Sequence, residues 1–427
     1  MDDLREKIIK KAIVDGILSV PDPRMPEAHI NSAELYLTFK CNDSCSHCIT
    51  ESGPKRPESM TPENAFKAID NIARHSIHKI LPKIYGNGTF RHEGSNQCHE
   101  LDSLLSPPEQ LTYALLQKYN VCATHRDCES TWVTSEGTFK LNLRKPSIRL
   151  SGGEFFCWPL GKDGKTLSEK ERLGHQKDLI RHIRKTLPEY DLWILTNGRF
   201  ASSAEKAETV IGSWAETANN TEYDSNVRIC LSVDIFHSPP PESTIEQMLE
   251  RVWTNSIDKG LPAPHIYGIP NQSIGLVGNA LRNFKKGRYS KAEVENRSCS
   301  SFNPFTYLNV DPFDLVESNG CGETKGFMIE HGEGVHLVHN VFISPQGRMV
   351  FCCACVGDYG DFINAPGDCM KNIVTNPLAL AMRRKETVIP LLNLVADMDS
   401  TIRIFGEGEF ANVTGSTCYQ FLSGHRP

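Results

Sequence analysis

Three cysteines, Cys41, Cys45 and Cys48, fall within eight positions of the stretch FKCNDSCSHCIT, residues 39 to 50. A closed tetrahedral metal site takes four ligands, so this loop alone leaves one position unfilled. In a 4Fe-4S cluster each cysteine holds one iron, and three would leave the fourth iron open to a non-protein ligand. An open position implies chemistry rather than scaffolding. Two plainer readings of the same thiols are a zinc knuckle with a distant fourth ligand, and inert buried cysteines.

The frame around this loop is an ordinary globular one. The chain has 427 residues, 39% hydrophobic and 23% charged, enough for two or three domains. The formal charge of −6, spread along the chain, gives no electrostatic footprint for nucleic acid or an anionic membrane. The N-terminal stretch MDDLREKIIKKAIVDG is charged and amphipathic without an apolar export region, and no window approaches a membrane span. The expected location is the cytoplasm, where fifteen cysteines point to metal binding more than to disulfides. Some are expected to be small core residues, as Cys230 is inside VRICLSV.

Elements that could position the thiols follow from the periodicity. AELYLTFK (33 to 40) reads as a strand running straight into the cysteine loop, and TPENAFKAIDNIARHS as a helix capped by Thr61 with Pro62 in its first turn. Further strands are expected at SIRLSGGE (147 to 154), DLWILTNG (191 to 198), VRICLSVD (227 to 234) and PHIYGIPN. Between them lie the helices EKERLGHQKDLIRHIRKTL, SSAEKAETVIGSWAETA and ESTIEQMLERVW. Strands alternating with helices predict parallel βαβ units, which carry their chemistry at the strand C-termini. The segment from about Ile77 to Lys145 breaks the rhythm and reads as an insertion. Near the C-terminus, VHLVHNVFISPQGRMVFCCAC reads as a hairpin about the turn SPQG.

The spacing Cys-x3-Cys-x2-Cys after a first strand resembles the signature of the radical S-adenosylmethionine superfamily. The strand-end motifs LSGGEFF, LTNGRF and LSVDIFH resemble the family's cosubstrate-binding segments, and SIGLVGNAL (273 to 281) is similar to its adenine-side segment but lacks the acid. The resemblance implies a fold and a chemistry. The fold class is α/β, a partial (β/α)6 TIM-like barrel with a smaller C-terminal hairpin-containing Fe-S domain. The division is an N-terminal helical extension (1–31), the barrel (32–295, with the insertion at about 77–145) and the C-terminal domain (296–427). Cys41, Cys45 and Cys48 would hold a catalytic 4Fe-4S cluster, whose open iron takes the amino and carboxylate groups of S-adenosyl-L-methionine. Reductive cleavage then yields a 5′-deoxyadenosyl radical that abstracts hydrogen from substrate. Gly152 and Gly153 would let the backbone approach, Glu154 would meet the methionine ammonium, and Asn197 and Ser232 would position the cosubstrate. His47, where many members carry an aromatic, would lie against adenine. Asp234 and His237 stand nearest the substrate and could accept its proton.

SPQGRMVFCC matches the Gly-x4-Cys hairpin of SPASM and twitch domains. It implies one auxiliary 4Fe-4S cluster with Cys321, Cys352, Cys355 and Cys369 as ligands, and Cys299 or Cys353 in reserve; a zinc site or free thiols are the alternatives. The full two-cluster SPASM cysteine run is absent. In the insertion, Cys122, His125 and Cys128 recur every third residue with Cys98 and His99 upstream, a spacing that can bind zinc; without a second Cys-x2-Cys arm the segment reads instead as a lid over the barrel mouth with incidental thiols. Cys157, just past the GGE motif, is one candidate hydrogen donor if the reaction is an epimerisation. The implied function is an oxidoreductase-like radical enzyme of biosynthesis acting on a small molecule or natural-product precursor, by dehydrogenation, epimerisation or rearrangement, with a flavodoxin- or ferredoxin-type electron donor. A maturase of ribosomally made peptides is the alternative, and the short stretch before Ser32 disfavours the leader-binding domain many of these carry. A non-enzymatic zinc protein is the third reading.

Overall fold

The computed structural model describes residues 2–18, 27–45, 48, 50–94, 128–141, 146–161, 163–200, 203–219, 227–232, 251, 265–269, 282–283, 286, 326–331, 334–351, 357–376 and 385–398. In chain order these form α1 (Asp2–Val14), β1 (Glu27–Thr38), α2 (Pro62–Arg74), α3 (Leu81–Tyr85), β2 (Gly88–Gly94), β3 (Cys128–Thr134), β4 (Thr138–Leu141) and β5 (Ser147–Gly152). There follow α4 (Glu169–Thr186), β6 (Asp191–Thr196), α5 (Ala204–Ala207), a π turn (Glu208–Gly212) and α6 (Ser213–Asn219). The remainder are β7 (Val227–Ser232), β8 (His265–Ile269), β9 (Gly326–His331), β10 (Gly334–Ile343), β11 (Arg348–Val350), β12 (Gly360–Asp361), α7 (Pro366–Thr375) and α8 (Lys385–Met398).

Among the described residues the main sheet has nine strands and runs β12-β11-β10-β1-β5-β6-β7-β8, with β9 paired to β10. From β10 to β8 every neighbour is parallel. The protein is thus mixed α/β with a mostly parallel central sheet. The predicted strands are present, and β1 begins at Glu27, earlier than the sequence pattern places it. The predicted hairpin is present as well: β10 and β11 pair antiparallel about a turn in which Gly347 takes φ +76°. Its long strand lies parallel to β1 and so extends the main sheet instead of forming a sheet apart.

Helix ends follow local chemistry. Thr61 accepts the Asn64 N–H at the start of α2, and Ser168 and Glu171 close a reciprocal capping box on α4. One face of the sheet is apolar. Leu35, Ile148, Leu150, Leu192, Ile194 and Ile229 pack there with Ile69 and Ile72 of α2 and Leu179, Ile180 and Ile183 of α4, all fully buried. Each such side chain contributes on the order of 1.5–3 kcal/mol of transfer free energy.

The segment read as an insertion contains regular structure. α3 and a separate antiparallel sheet, β2-β3-β4, close over a small apolar cluster of Ile77, Ile80, Leu81, Ile84 and Trp132 that also takes in Val338 of β10. The Trp132 indole donates to the Gly86 carbonyl at 2.9 Å. The predicted helix at SSAEKAETVIGSWAETA is interrupted by the π turn. Most of ESTIEQMLERVW, and the Cys122 and His125 positions, lie outside the described residues. Among the described residues no helix is long and apolar enough to cross a membrane.

A fully buried glutamine ties α4 to the turn that follows β5. Its amide nitrogen donates to the carbonyls of Phe155, Phe156 and Trp158 at 3.0, 3.3 and 2.7 Å, and the Gln176 carbonyl accepts the Trp214 indole at 2.9 Å. Replacing Gln176 with Leu strands these groups without water, at about 1–3 kcal/mol for each buried polar group left unsatisfied. Denaturant unfolding of Gln176→Leu is expected to show a loss of at least about 2 kcal/mol on that basis.

Candidate functional site

Residues 38–41, 152–154 and 196–197 meet at the C-terminal ends of β1, β5 and β6. Gly153 N–H donates to the Thr38 carbonyl at 2.6 Å and Glu154 N–H to the Lys40 carbonyl at 3.0 Å. This approach explains both glycines. A Cβ on Gly153 would run into the Lys40 carbonyl, and one on Gly152, which sits at φ +117°, into the Thr38 carbonyl. The glycines therefore seat the cysteine loop against the end of β5.

Glu154 then ties β5 to β6. It is fully buried; one carboxylate oxygen accepts Phe156 N–H at 3.0 Å and Thr196 Oγ1–H at 2.6 Å, and the other accepts Asn197 N–H at 2.8 Å. The Asn197 side chain reaches back to the loop, donating to Asn42 Oδ1 at 2.8 Å and to Cys41 Sγ at 3.6 Å. Asp43 N–H also points at Cys41 Sγ, at 3.4 Å, and Ser52 N–H at Cys48 Sγ, at 3.3 Å. Cys41 and Cys45 are buried and Cys48 half-buried, none of them in a disulfide.

Several contributors were not apparent from the motifs. Thr50 and Ser52 share a 2.7 Å hydrogen bond, and both hydroxyls contact the Gly152 carbonyl while Thr50 also meets Cys48 Sγ at 3.4 Å. Arg199 pairs with Asp43 at 2.9 Å, and Arg282 with Glu51 at 2.5 Å. Hydroxyls directly after the third cysteine, and an arginine directly after the TNG turn, are the signals that could have marked them.

Burial, followed by the Glu154 carboxylate, holds the Cys41 thiol well above the ordinary thiol range. The same two causes push Cys157 up to about 12. A nucleophilic cysteine needs the opposite shift. Three cysteine sulfurs on one loop, with N–H donors aimed at two of them, are a donor set that fits a thiolate-held metal or cluster.

The structure thus gathers Cys41, Cys45, Cys48, Gly152, Gly153, Glu154 and Asn197. Ser232 ends β7, with its side chain outside the described residues, as are His47, Asp234, His237, Cys321, Cys352 and Cys355. Cys369, on α7, is fully buried in the apolar core against Gly360, and burial pushes its thiol up to about 12. Cys230 is a buried thiol, as its apolar run predicts.

Below the strand ends, the second face of the sheet carries charge. Register aligns Glu34, Arg149, Trp193, Arg228 and His265 in one row across five strands. Ser151 donates to Glu34 at 2.6 Å, Arg149 lies 3.7 Å from Glu34, and Arg228 lies 3.2 Å from Asp191. The Arg228 and Arg149 guanidiniums stand 4.7 and 6.0 Å from the Trp193 ring centre. Parallel strands covered on both faces are usually apolar throughout. Arg149 in SIRLSG and Arg228 in VRICLS are the sequence signals for this departure.

Fold and site together define an α/β protein with a parallel sheet and a thiol centre at its strand ends. No family model matches the chain, and no curated protein does either.

Gly153→Ala tests the clasp. The loop has to move off β5 to admit the methyl group, so alkylation of the thiols under native conditions is expected to accelerate at least tenfold, with a lower melting temperature. An unchanged alkylation rate would show that the loop is held by something else.

Proposed function

We propose that this chain is a radical S-adenosylmethionine enzyme, one that reductively cleaves S-adenosylmethionine and uses the 5′-deoxyadenosyl radical to take hydrogen from a small-molecule or natural-product precursor. The observation that carries the reading is the convergence of the three-cysteine loop, the Gly-Gly-Glu turn and Asn197 on adjacent strand ends. These motifs lie far apart in sequence, and the parallel order β1-β5-β6 sets all three at neighbouring strand ends, where residues of such types can act together. The finer architecture that accompanies the reading is a partial (β/α)6 TIM-like barrel, supported by the parallel order β1-β5-β6-β7-β8.

Cys41, Cys45 and Cys48 would hold a 4Fe-4S cluster, which when bound supplies the electron for sulfonium cleavage and an open iron for the cosubstrate. The chain's own residues prepare that position. N–H groups of Asp43 and Ser52 and the Asn197 amide stabilise thiolate sulfur. Glu154, committed to Thr196, Phe156 and Asn197, fixes where the neighbouring strand ends stand, so its part in binding the methionine ammonium is exercised from that clamped position. Ser232 would complete the cosubstrate site at the end of β7, His47 would lie against adenine, and Asp234 and His237 would take the substrate proton. The charged row headed by Glu34 and Arg149 would form the floor beneath the substrate.

An auxiliary 4Fe-4S cluster on Cys321, Cys352, Cys355 and Cys369 would exchange the second electron, and a flavodoxin- or ferredoxin-type protein would supply the first. Cys369 stands against Gly360, whose strand pairs with the hairpin strand that leads into Cys352. An iron count separates a ligand there from a core thiol.

Anaerobically purified protein is expected to be brown and, once reduced, to release 5′-deoxyadenosine. Cys45→Ala should lose that release by at least a hundredfold. With both clusters the protein should carry about eight irons, and the Cys41, Cys45 and Cys48 to Ala triple variant about four. Colourless, zinc-loaded protein that leaves S-adenosylmethionine intact would sink the reading; a colourless triple variant would remove only the auxiliary cluster.

A further inference from the structure

At the end of β1 opposite the thiols, a carboxylate and two imidazoles converge. Glu27 and His29 are two residues apart on one strand and so share a face. His336 of β10 stands beside Glu27 in the parallel register. The His29 Nε2 atom lies 3.2 Å from His336 Nδ1 and 3.8 Å from Glu27 Oε2, and the three ligand atoms lie within 4.8 Å of one another.

These spacings match what a small divalent ion needs. With metal–nitrogen and metal–oxygen bonds near 2.0–2.1 Å, tetrahedral zinc separates its ligand atoms by about 3.3 Å. The imidazole pair already stands at that spacing. The Glu27 carboxylate stands 3.8 Å from His29 Nε2 and within 4.8 Å of the His336 ring nitrogen, and its side chain, 70% exposed, is free to swing inward over that gap. The geometry points to a divalent transition-metal site formed by Glu27, His29 and His336, with a fourth position open to water or an exogenous ligand.

Two further features agree. Two imidazoles with one carboxylate form a donor set that suits zinc, copper or nickel better than calcium or magnesium. The ligands come from two neighbouring strands already fixed by backbone pairing, so little order has to be created on binding. The site is independent of the thiol centre, since the twelve residues of β1 at about 3.3 Å each put roughly 35 Å between its ends. An ion here would cross-link β1 to β10, the strand that begins the hairpin.

The test uses the full chain with Cys41, Cys45 and Cys48 changed to Ser, which removes the strongest competing thiol site, and compares it with the same protein carrying Glu27→Gln or His336→Asn. Zinc binding is counted by equilibrium dialysis. Cobalt serves as a spectroscopic probe, because nitrogen and oxygen ligation gives weak visible bands without sulfur-to-metal charge transfer. The parent is expected to bind one more equivalent than the variants, with an N/O-type cobalt spectrum, and each variant should weaken that site at least tenfold. Glu27 is exposed, so Glu27→Gln should keep the metal-free melting temperature, and loss of binding there cannot be charged to unfolding. Equal zinc counts in parent and both variants, or a site with only thiolate character, would overturn the proposal and leave a His29–His336 hydrogen bond in its place. Neither result bears on cleavage of S-adenosylmethionine.

Discussion

Glu154 is buried where β5, β6 and the cysteine loop meet, and a carboxylate in such a place is tolerable only because donors converge on it. Taking the charge out of water costs several kcal/mol unless hydrogen bonds replace the lost hydration. Phe156 N–H, Thr196 Oγ1–H and Asn197 N–H supply them. The requirement runs both ways: to satisfy the acid, the ends of β5 and β6 must stand at one separation. Asn197, held by that bond, is then aimed at Asn42 and Cys41. A change at this one side chain would be felt on three strands.

The two faces of the main sheet divide the labour of stability and chemistry. The helix-covered face is apolar and supplies the transfer free energy that holds the layers together. The other face gives up part of that gain by carrying Glu34, Arg149, Asp191 and Arg228 in a buried setting. Burial lowers the pKa of Arg149, and the Glu34 carboxylate raises it again. Replacing such a buried ionic row by apolar side chains is often neutral or stabilising, so its presence in the middle of a parallel sheet is better explained by what that face meets than by folding.

β1 links the parts. It pairs in parallel with β5 on one side and β10 on the other, delivers the cysteine loop at its C-terminal end and presents Glu27 and His29 at its start. The C-terminal hairpin is therefore bound to the strand that carries the thiols, through a backbone ladder instead of surface docking. Asn71 of α2 reinforces this by donating to the carbonyls of Phe362 and Ile363, nearly 300 residues away.

Much of this was legible in the chain because it depends on local rules. Alternation of strand and helix patterns located the parallel strands, Thr61 marked a helix start, SPQG marked the hairpin, and the spacing of Cys41, Cys45 and Cys48 with GGE and TNG at strand ends outlined the thiol centre. Each is a period, a cap or a spacing that needs no knowledge of neighbours. What depended on register and packing was not legible. The glycines at 152 and 153 could be read as places where backbone comes close, but only the fold shows that residues 38 to 40 come closest to them. That Glu154 also clamps the strand ends, accepting from Thr196, Phe156 and Asn197, became visible only in the fold. Arg149 and Arg228 came into one row only through strand pairing, and Glu27 and His336, more than 300 positions apart, became neighbours only when β10 took its place beside β1. Sequence determines which residues can do chemistry, because that is a property of side chains; which of them share a site is decided by long-range strand pairing, which no local pattern encodes.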